Sequence, residues 1–278
     1  MFDTHCHLNF HAFEGIVEET IQEAIKAGMQ GIVMPGTDIK SSTNSVLLSG
    51  NHENLYAAVG IHPHHIYQYQ IDELQGNLEE DLKKIENLVE KKEVVAVGEI
   101  GLDRHYYEKT KYSDYQIDSE FIGLQKEVFL RQIELAKTYK KSLILHNREA
   151  KKDFLEVLTS AWVPSLEGKV VFHCCEPDEE FLAYAKEHKI FIGVDGDVTY
   201  SPTKREFAKK IPLSMLVLET DSPFLLPEPY RSYPKDKKPI NTPTRIRDIG
   251  VYIAKLKDVS PEELFTKTTE NAKNLFQL

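Results

Sequence analysis

The 278-residue sequence has no apolar run near the ~18–20 residues needed to cross a bilayer. Its first residues carry neither a basic n-region nor an apolar h-region, so no secretory leader is expected, and the expected setting is cytoplasmic. Cysteine is scarce: Cys6, Cys174 and Cys175 make three, an odd number that builds no disulfide framework and suits a reducing compartment. Positive charge is in deficit, with 34 Lys and Arg against 44 Asp and Glu and a net charge of -10. That balance argues against a protein that coats nucleic acid with a general basic surface. It leaves room for a small site in which bound divalent cations attract a phosphate. Lys and Arg do gather locally, at Lys109 and Lys111, at Arg148 with Lys151 and Lys152, at Lys204 and Arg205, and from Arg231 to Lys238; at least half of these read as solvated faces.

No Pro/Gly/Ser-rich linker divides the chain, and 41% hydrophobic content supports a sizeable core, so one domain over residues 1–278 is expected, with a monomer as the plain assumption. Strand-like runs occur near Phe2–His5, Gly31–Met34, Leu55–Val59, Val94–Gly98, Ser142–Leu145, Lys169–Phe172, Ile190–Gly193 and Met215–Leu218. Between them lie stretches with apolar residues three and four apart, among them Ile16–Ala27, Leu78–Glu90, Phe121–Tyr139 and Phe181–Glu187. Eight such β/α units predict an α/β fold, a (β/α)8 TIM barrel, with a last helix over Pro261–Phe276 packed outside it.

Six residues of metal-ligand type, His5, His7, Glu99, His146, His173 and Asp221, recur at or just after the ends of these runs. In extended chain, residues i and i+2 share a face, so His5 and His7 can reach one ion while Cys6 points away. In such barrels the C-terminal strand ends carry the active site, and every one of the six falls there. Periodicity and residue type thus point independently to one metal site.

The residues resemble the TatD family of metal-dependent deoxyribonucleases, within the amidohydrolase-like barrels. The matching segments are Asp3-Thr4-His5-Cys6-His7-Leu8, Gly60-Ile61-His62-Pro63-His64, Gly98-Glu99-Ile100-Gly101-Leu102-Asp103, His146-Asn147-Arg148-Glu149-Ala150, Phe172-His173-Cys174, Glu219-Thr220-Asp221-Ser222-Pro223-Phe224-Leu225 and Asn241-Thr242-Pro243. They run in order over nearly the whole chain. The resemblance implies two divalent metal ions, one held by His5, His7 and Asp221, the other by His146 and His173, with Glu99 bridging. A carboxylate can span two ions, whereas an imidazole offers one lone pair. Magnesium or manganese is implied for activity, while the donor types also suit zinc or another first-row ion.

A bridged pair lowers the pKa of a bound water and stabilises charge on attacking and leaving oxygens, which suits phosphodiester hydrolysis. The expected substrate is DNA, as a short or single-stranded segment or an end, cut by a 3′-5′ exonuclease that could also act at abasic sites; RNA stays open. Glu99, Asp221 and His62 are the candidate catalytic residues, Asp221 doubling as ligand and proton acceptor. His62, His64, Arg148 and Asn241 are the candidate substrate contacts. Each has a plainer reading: His62 ordering the Pro63 turn, His64 a loop residue, Arg148 in a salt bridge on the next helix, Asn241 bracing a loop before the Thr242 N-cap and Pro243. Asp103 is expected to set loop geometry beside Glu99 without touching ligands.

Two departures from the family pattern stand out. Cys175-Glu176-Pro177 replaces an aromatic position, and Cys175 is either a small buried filler or, if the strand continues past His173, a soft ligand. The polar stretch from Lys109 to Glu120 looks like an insertion that could cover the cleft. Two other functions stay open: hydrolysis of a small amide, lactone or phosphoester on a related barrel, and a non-catalytic binding module with a fossil site, which is disfavoured because no ligand position is lost. Many such barrels bridge their metals with a modified lysine, and Glu99 in that role favours the nuclease branch.

Overall fold

The computed structural model describes residues 1–70, 77–112 and 114–278. Eight parallel strands form one sheet in sequence order: β1 (Phe2–Asp3), β2 (Gly31–Pro35), β3 (Leu55–Val59), β4 (Val94–Asp103), β5 (Ser142–Arg148), β6 (Val170–Phe172), β7 (Phe191–Val194) and β8 (Leu216–Leu218). The first and last strands meet as well, through Thr4 N–H to the Leu218 carbonyl at 3.0 Å and a parallel bridge between Cys6 and Ser222. The sheet thereby closes into the expected TIM barrel.

The helices are α1 (Val17–Lys26), α2 (Ile39–Asn51), α3 (Leu78–Val89), α4 (Ser119–Tyr139), α5 (Lys151–Ala161), α6 (Glu179–His188), α7 (Pro202–Lys210), α8 (Ile246–Lys257) and α9 (Pro261–Phe276). Their starts follow local chemistry. Asp38 caps α2 by accepting from Ser41 N–H at 2.8 Å, and Ser41 Oγ accepts from Asp38 N–H in return, a reciprocal capping box. Asp118 and Ser260 cap α4 and α9 by accepting from Phe121 N–H and Glu263 N–H, the latter helix with Pro261 at its first position.

Alternation along the strands divides the apolar residues into two layers. One residue from each strand, Phe2, Val33, Ala58, Ala96, Ile144, Val171, Phe191 and Val217, fills the barrel interior, and the opposite faces pack under the helices. Helix α9 does not stay wholly outside. Its last turn brings Ala272, Leu275 and Phe276 into the interior cluster, where Phe276 stacks on Phe2 at 6.3 Å and Ser142 Oγ donates to the Leu275 carbonyl. Burying Phe276 as the barrel's floor contributes about 2 kcal/mol.

Strands β4 and β5 run further than their apolar runs suggest, because the ladder continues through Ile100↔Leu145 to Asp103↔Arg148. Glu99 and His146 therefore lie within strands, not after them. The β4–β5 register shifts between Val97 and Ile100, a bulge that re-aims Glu99 into the barrel mouth.

Candidate metal centre

All six ligand-type residues converge at the C-terminal mouth. His5 and His7 project from the extended segment after β1, with their Nε2 atoms 3.1 Å apart, and Cys6 between them is buried on the opposite side. His5 Nε2 lies 3.5 Å from Glu99 Oε2 and 3.7 Å from Asp221 Oδ1. His7 Nε2 lies 3.4 Å from Asp221 Oδ1. Its Nδ1 faces the Pro35 carbonyl at 3.2 Å, so the ring proton sits there and the Nε2 lone pair is left toward the site.

On the other side His146 Nδ1 is 2.8 Å and His173 Nε2 3.8 Å from Glu99 Oε1. Glu99 thus has one oxygen toward His5 and His7 and the other toward His146 and His173. Asp221 and Cys174 adopt left-handed backbone, φ 50° and 42°. Such conformations are uncommon for non-glycine residues and concentrate at functional sites. At Asp221 the conformation is held by its N–H to the His5 carbonyl at 2.9 Å. At Cys174 it ends the strand, so Cys175 does not follow His173 into the cleft but is buried as a small apolar filler.

Two carboxylates, Glu99 and Asp221, sit in this mouth with only imidazoles as charged partners; no Lys or Arg pairs with them among the described residues. Burial alone would raise the Glu99 pKa, but His62, His5 and His146 hold it well below the usual carboxylate range. Burial lowers His146 and His173, yet their carboxylate neighbours outweigh it and raise them to about 9 and about 10. Protons on these rings are the positive charge the anions demand. A divalent cation supplies that charge with better-matched donors, so the residues fit a metal.

Other contacts were not legible beforehand. Glu219 Oε2 lies 3.2 Å from His173 Nδ1 and its Oε1 accepts from Cys174 N–H at 2.6 Å, which fixes the ring behind the donor atom. Asp103 touches a candidate ligand after all: its Oδ2 is 3.2 Å from His146 Nε2 while it also accepts from His105 N–H and Tyr107 Oη–H. The reason is the extension of β4 and β5, which places Asp103 opposite Arg148 and next to His146.

A cleft of about 580 Å³ opens above the donors, lined by His62, His64, Arg148, Lys204, Phe10 and Phe224 among others. His62 Nε2 is 3.6 Å from Glu99 Oε1, and its Nδ1 accepts from His64 N–H at 3.1 Å. Arg148 donates to Tyr107 Oη at 3.1 Å and has no carboxylate partner among the described residues, so the salt bridge on the next helix does not form. Lys204 reaches the cleft from α7, its Nζ donating to the Cys174 carbonyl at 3.0 Å and pairing with Asp197 at 3.1 Å. It supplies the cation for the neighbouring Cys174, Asp195 and Asp197 group. Asn241 does not line the cleft. It is buried, and its Nδ2 donates to the Thr220 carbonyl at 2.9 Å and to the Phe224 carbonyl, bracing the loop that carries Asp221. The 109–120 stretch, of which residue 113 lies outside the described residues, packs Tyr112 and Tyr115 against His64, His65 and Tyr67 and so buttresses one rim.

A sequence profile described as TatD related DNase matches residues 2–277. The chain belongs to that family. It is 34% identical to the metal-dependent hydrolase YabD of Bacillus subtilis, over 100% of this chain and 99% of the relative. It is 32% identical to a protein of Erwinia billingiae named 3'-5' ssDNA/RNA exonuclease TatD, over 100% and 99%. Among solved structures, YJJV, a TatD homologue from Escherichia coli K12, superposes with a TM-score of 0.81 at 27% identity, covering 100% of this chain and 98% of that one. With the TatD family established, the chain is a metal-dependent hydrolase of ester bonds. No described helix is long and apolar enough to cross a membrane.

Proposed function

We propose that the protein is a two-metal nuclease that hydrolyses the phosphodiester bonds of single-stranded DNA from the 3′ end. The observation that carries this reading is the convergence of four histidines on the two oxygens of Glu99, with Asp221 beside His5 and His7, beneath a cleft whose walls hold Arg148, Lys204 and His62. His5, His7 and Asp221 would hold one cation, His146 and His173 the second, and Glu99 would serve both. When bound, such a pair lowers the pKa of water and offsets charge on the phosphoryl oxygens; magnesium or manganese would serve activity, and the imidazole donors also suit zinc.

The chain's own groups do the rest. Arg148 aims a guanidinium fork, with no carboxylate partner among the described residues, at a phosphate oxygen. Because His62 Nδ1 is an acceptor, the neutral ring carries its proton on Nε2, the atom that faces Glu99. Burial and the nearby His146 depress its pKa, so His62 acts as a neutral donor to a phosphate or leaving oxygen. Asp221 can take a proton at its carboxylate, and His64 stands at the rim where the next nucleotide would pass.

The test is the product pattern from end-labelled single-stranded DNA, single-stranded RNA and an abasic duplex, run with chelator and with single ions restored. Mononucleotides released from the 3′ end, lost on chelation and in Glu99→Gln and Asp221→Asn, are expected. Cleavage that survives chelation or both substitutions would sink the assignment; turnover of small esters or lactones without nucleic acid would replace the substrate class.

A further inference from the structure

The metal cleft continues into a second cavity. Phe10, Thr37 and Phe224 line both the cleft and a neighbouring groove of about 730 Å³. The groove is walled mainly by apolar side chains, among them Leu8, Phe13, Leu48 and Pro223, and its lysine, Lys40, is accompanied by Asp38 and Glu14. A phosphate gains nothing there, whereas Arg148 and Lys204 stand on the cleft wall. The groove suits a flat, uncharged group attached to an anion held at the metals.

Two aromatic rings stand where cleft and groove meet. Phe10 stacks on His7, with centroids 4.2 Å apart and planes 20° apart, and lies edge-on to Phe224 at 6.4 Å and 74°. Phe224 is 52% exposed. Its loop is nevertheless tightly held: Phe224 N–H donates to the Asp221 carbonyl at 2.8 Å, and the buried Asn241 donates to the Phe224 carbonyl. An exposed phenyl on a braced loop, three residues from a candidate metal ligand, is a fixed platform whose uncovered face forfeits transfer energy until a partner covers it.

We propose that this groove is a nucleobase subsite: the base of the nucleotide beside the scissile phosphodiester stacks on Phe224, with Phe10 closing its edge. The inference rests on the nuclease reading of the cleft. Stacking is tolerant of sequence because every base offers a π-face, so cleavage would depend on the presence of this base and little on its identity. The groove thereby fixes which bond reaches the metals.

The experiment is a cycle between enzyme and substrate. Wild type, Phe224→Ala, Phe224→Trp and Phe10→Ala are compared on a single strand and on the same strand with tetrahydrofuran in place of the last two bases. The wild type is expected to cut the base-free strand about ten-fold or more less efficiently in kcat/KM, and Phe224→Ala to lose a similar factor on the intact strand, as a lost stacking contact implies. On the base-free strand Phe224→Ala should match the wild type, and Phe224→Trp should keep activity on both. Equal metal content and melting temperature verify that the exposed position leaves the fold intact. Full activity of Phe224→Ala and Phe10→Ala on the intact strand would overturn the subsite. So would an equal loss on both strands, which would mean that Phe224 acts through Asp221. A wild type that cuts neither strand fails the nuclease reading itself, before any variant is compared.

Discussion

At the residue scale the centre depends on side chains that are not donors. Glu219 holds His173 from behind through its Nδ1 and fixes the following turn through Cys174 N–H. A Cβ on Gly193 would come within 2.3 Å of the Glu219 carboxylate, so the glycine is what leaves space for that carboxylate behind His173. Replacing a partner of this kind costs about 10- to 100-fold in metal affinity or activity. Glu219→Gln should therefore weaken metal binding by that factor in competition titration; unchanged affinity would remove Glu219 from the centre. Glu99→Gln keeps the volume but removes the charge that His5, His7, His146 and His173 share. Its kcat on DNA should fall at least about a hundredfold, with metal content below the wild-type value by elemental analysis.

At the scale of elements, the strands were legible because each is a short run of β-branched or apolar residues between turn signals, and α9 was expected at its observed bounds, Pro261–Phe276. The extension of β4 and β5 was not legible. It depends on pairing of Ile100–Asp103 with Leu145–Arg148, polar and glycine-containing segments without a strand pattern. Gly101 is what permits it: φ is 150°, and a Cβ there would meet the His146 carbonyl oxygen at 1.8 Å. Gly101→Ala should force the two strands apart, lowering both the melting temperature and metal content; a variant with wild-type values of both would contradict this account. Loop bracing by Asn241 was expected as its plainer reading, but its two carbonyl partners were hidden, since they lie 21 and 17 residues away. Asn241→Ala leaves those carbonyls without their donor, a cost of about 1–3 kcal/mol. Urea unfolding should show it as a lower midpoint at unchanged slope, with reduced kcat because the loop carries Asp221.

For the whole molecule, the convergence of the six ligand-type residues was legible because a barrel gathers strand ends at one mouth, so residues from His5 to Asp221 need no sequence proximity. Which ring atom faces which oxygen was not, since that follows from Pro35, Glu219 and Asp103. The same contacts tie folding to metal and pH. Without metal, His146 and His173 have pKa values raised to about 9 and about 10, above the ordinary 6.5 of an unfolded chain. A raised histidine contributes stability that is complete below pH ~6.5 and is lost as pH climbs through the folded values. Metal needs those rings unprotonated, so its affinity changes the opposite way. A cation at about a thousand times its Kd adds about 4 kcal/mol, roughly 10 °C for a chain of this size. Scanning fluorimetry with and without chelator at pH 6, 7.5 and 9 should therefore show a gap between metal-loaded and chelated protein that widens with pH, with the chelated protein losing stability as the two rings deprotonate. A gap that stays constant or narrows over that range would mean that protons and metal do not compete for these histidines.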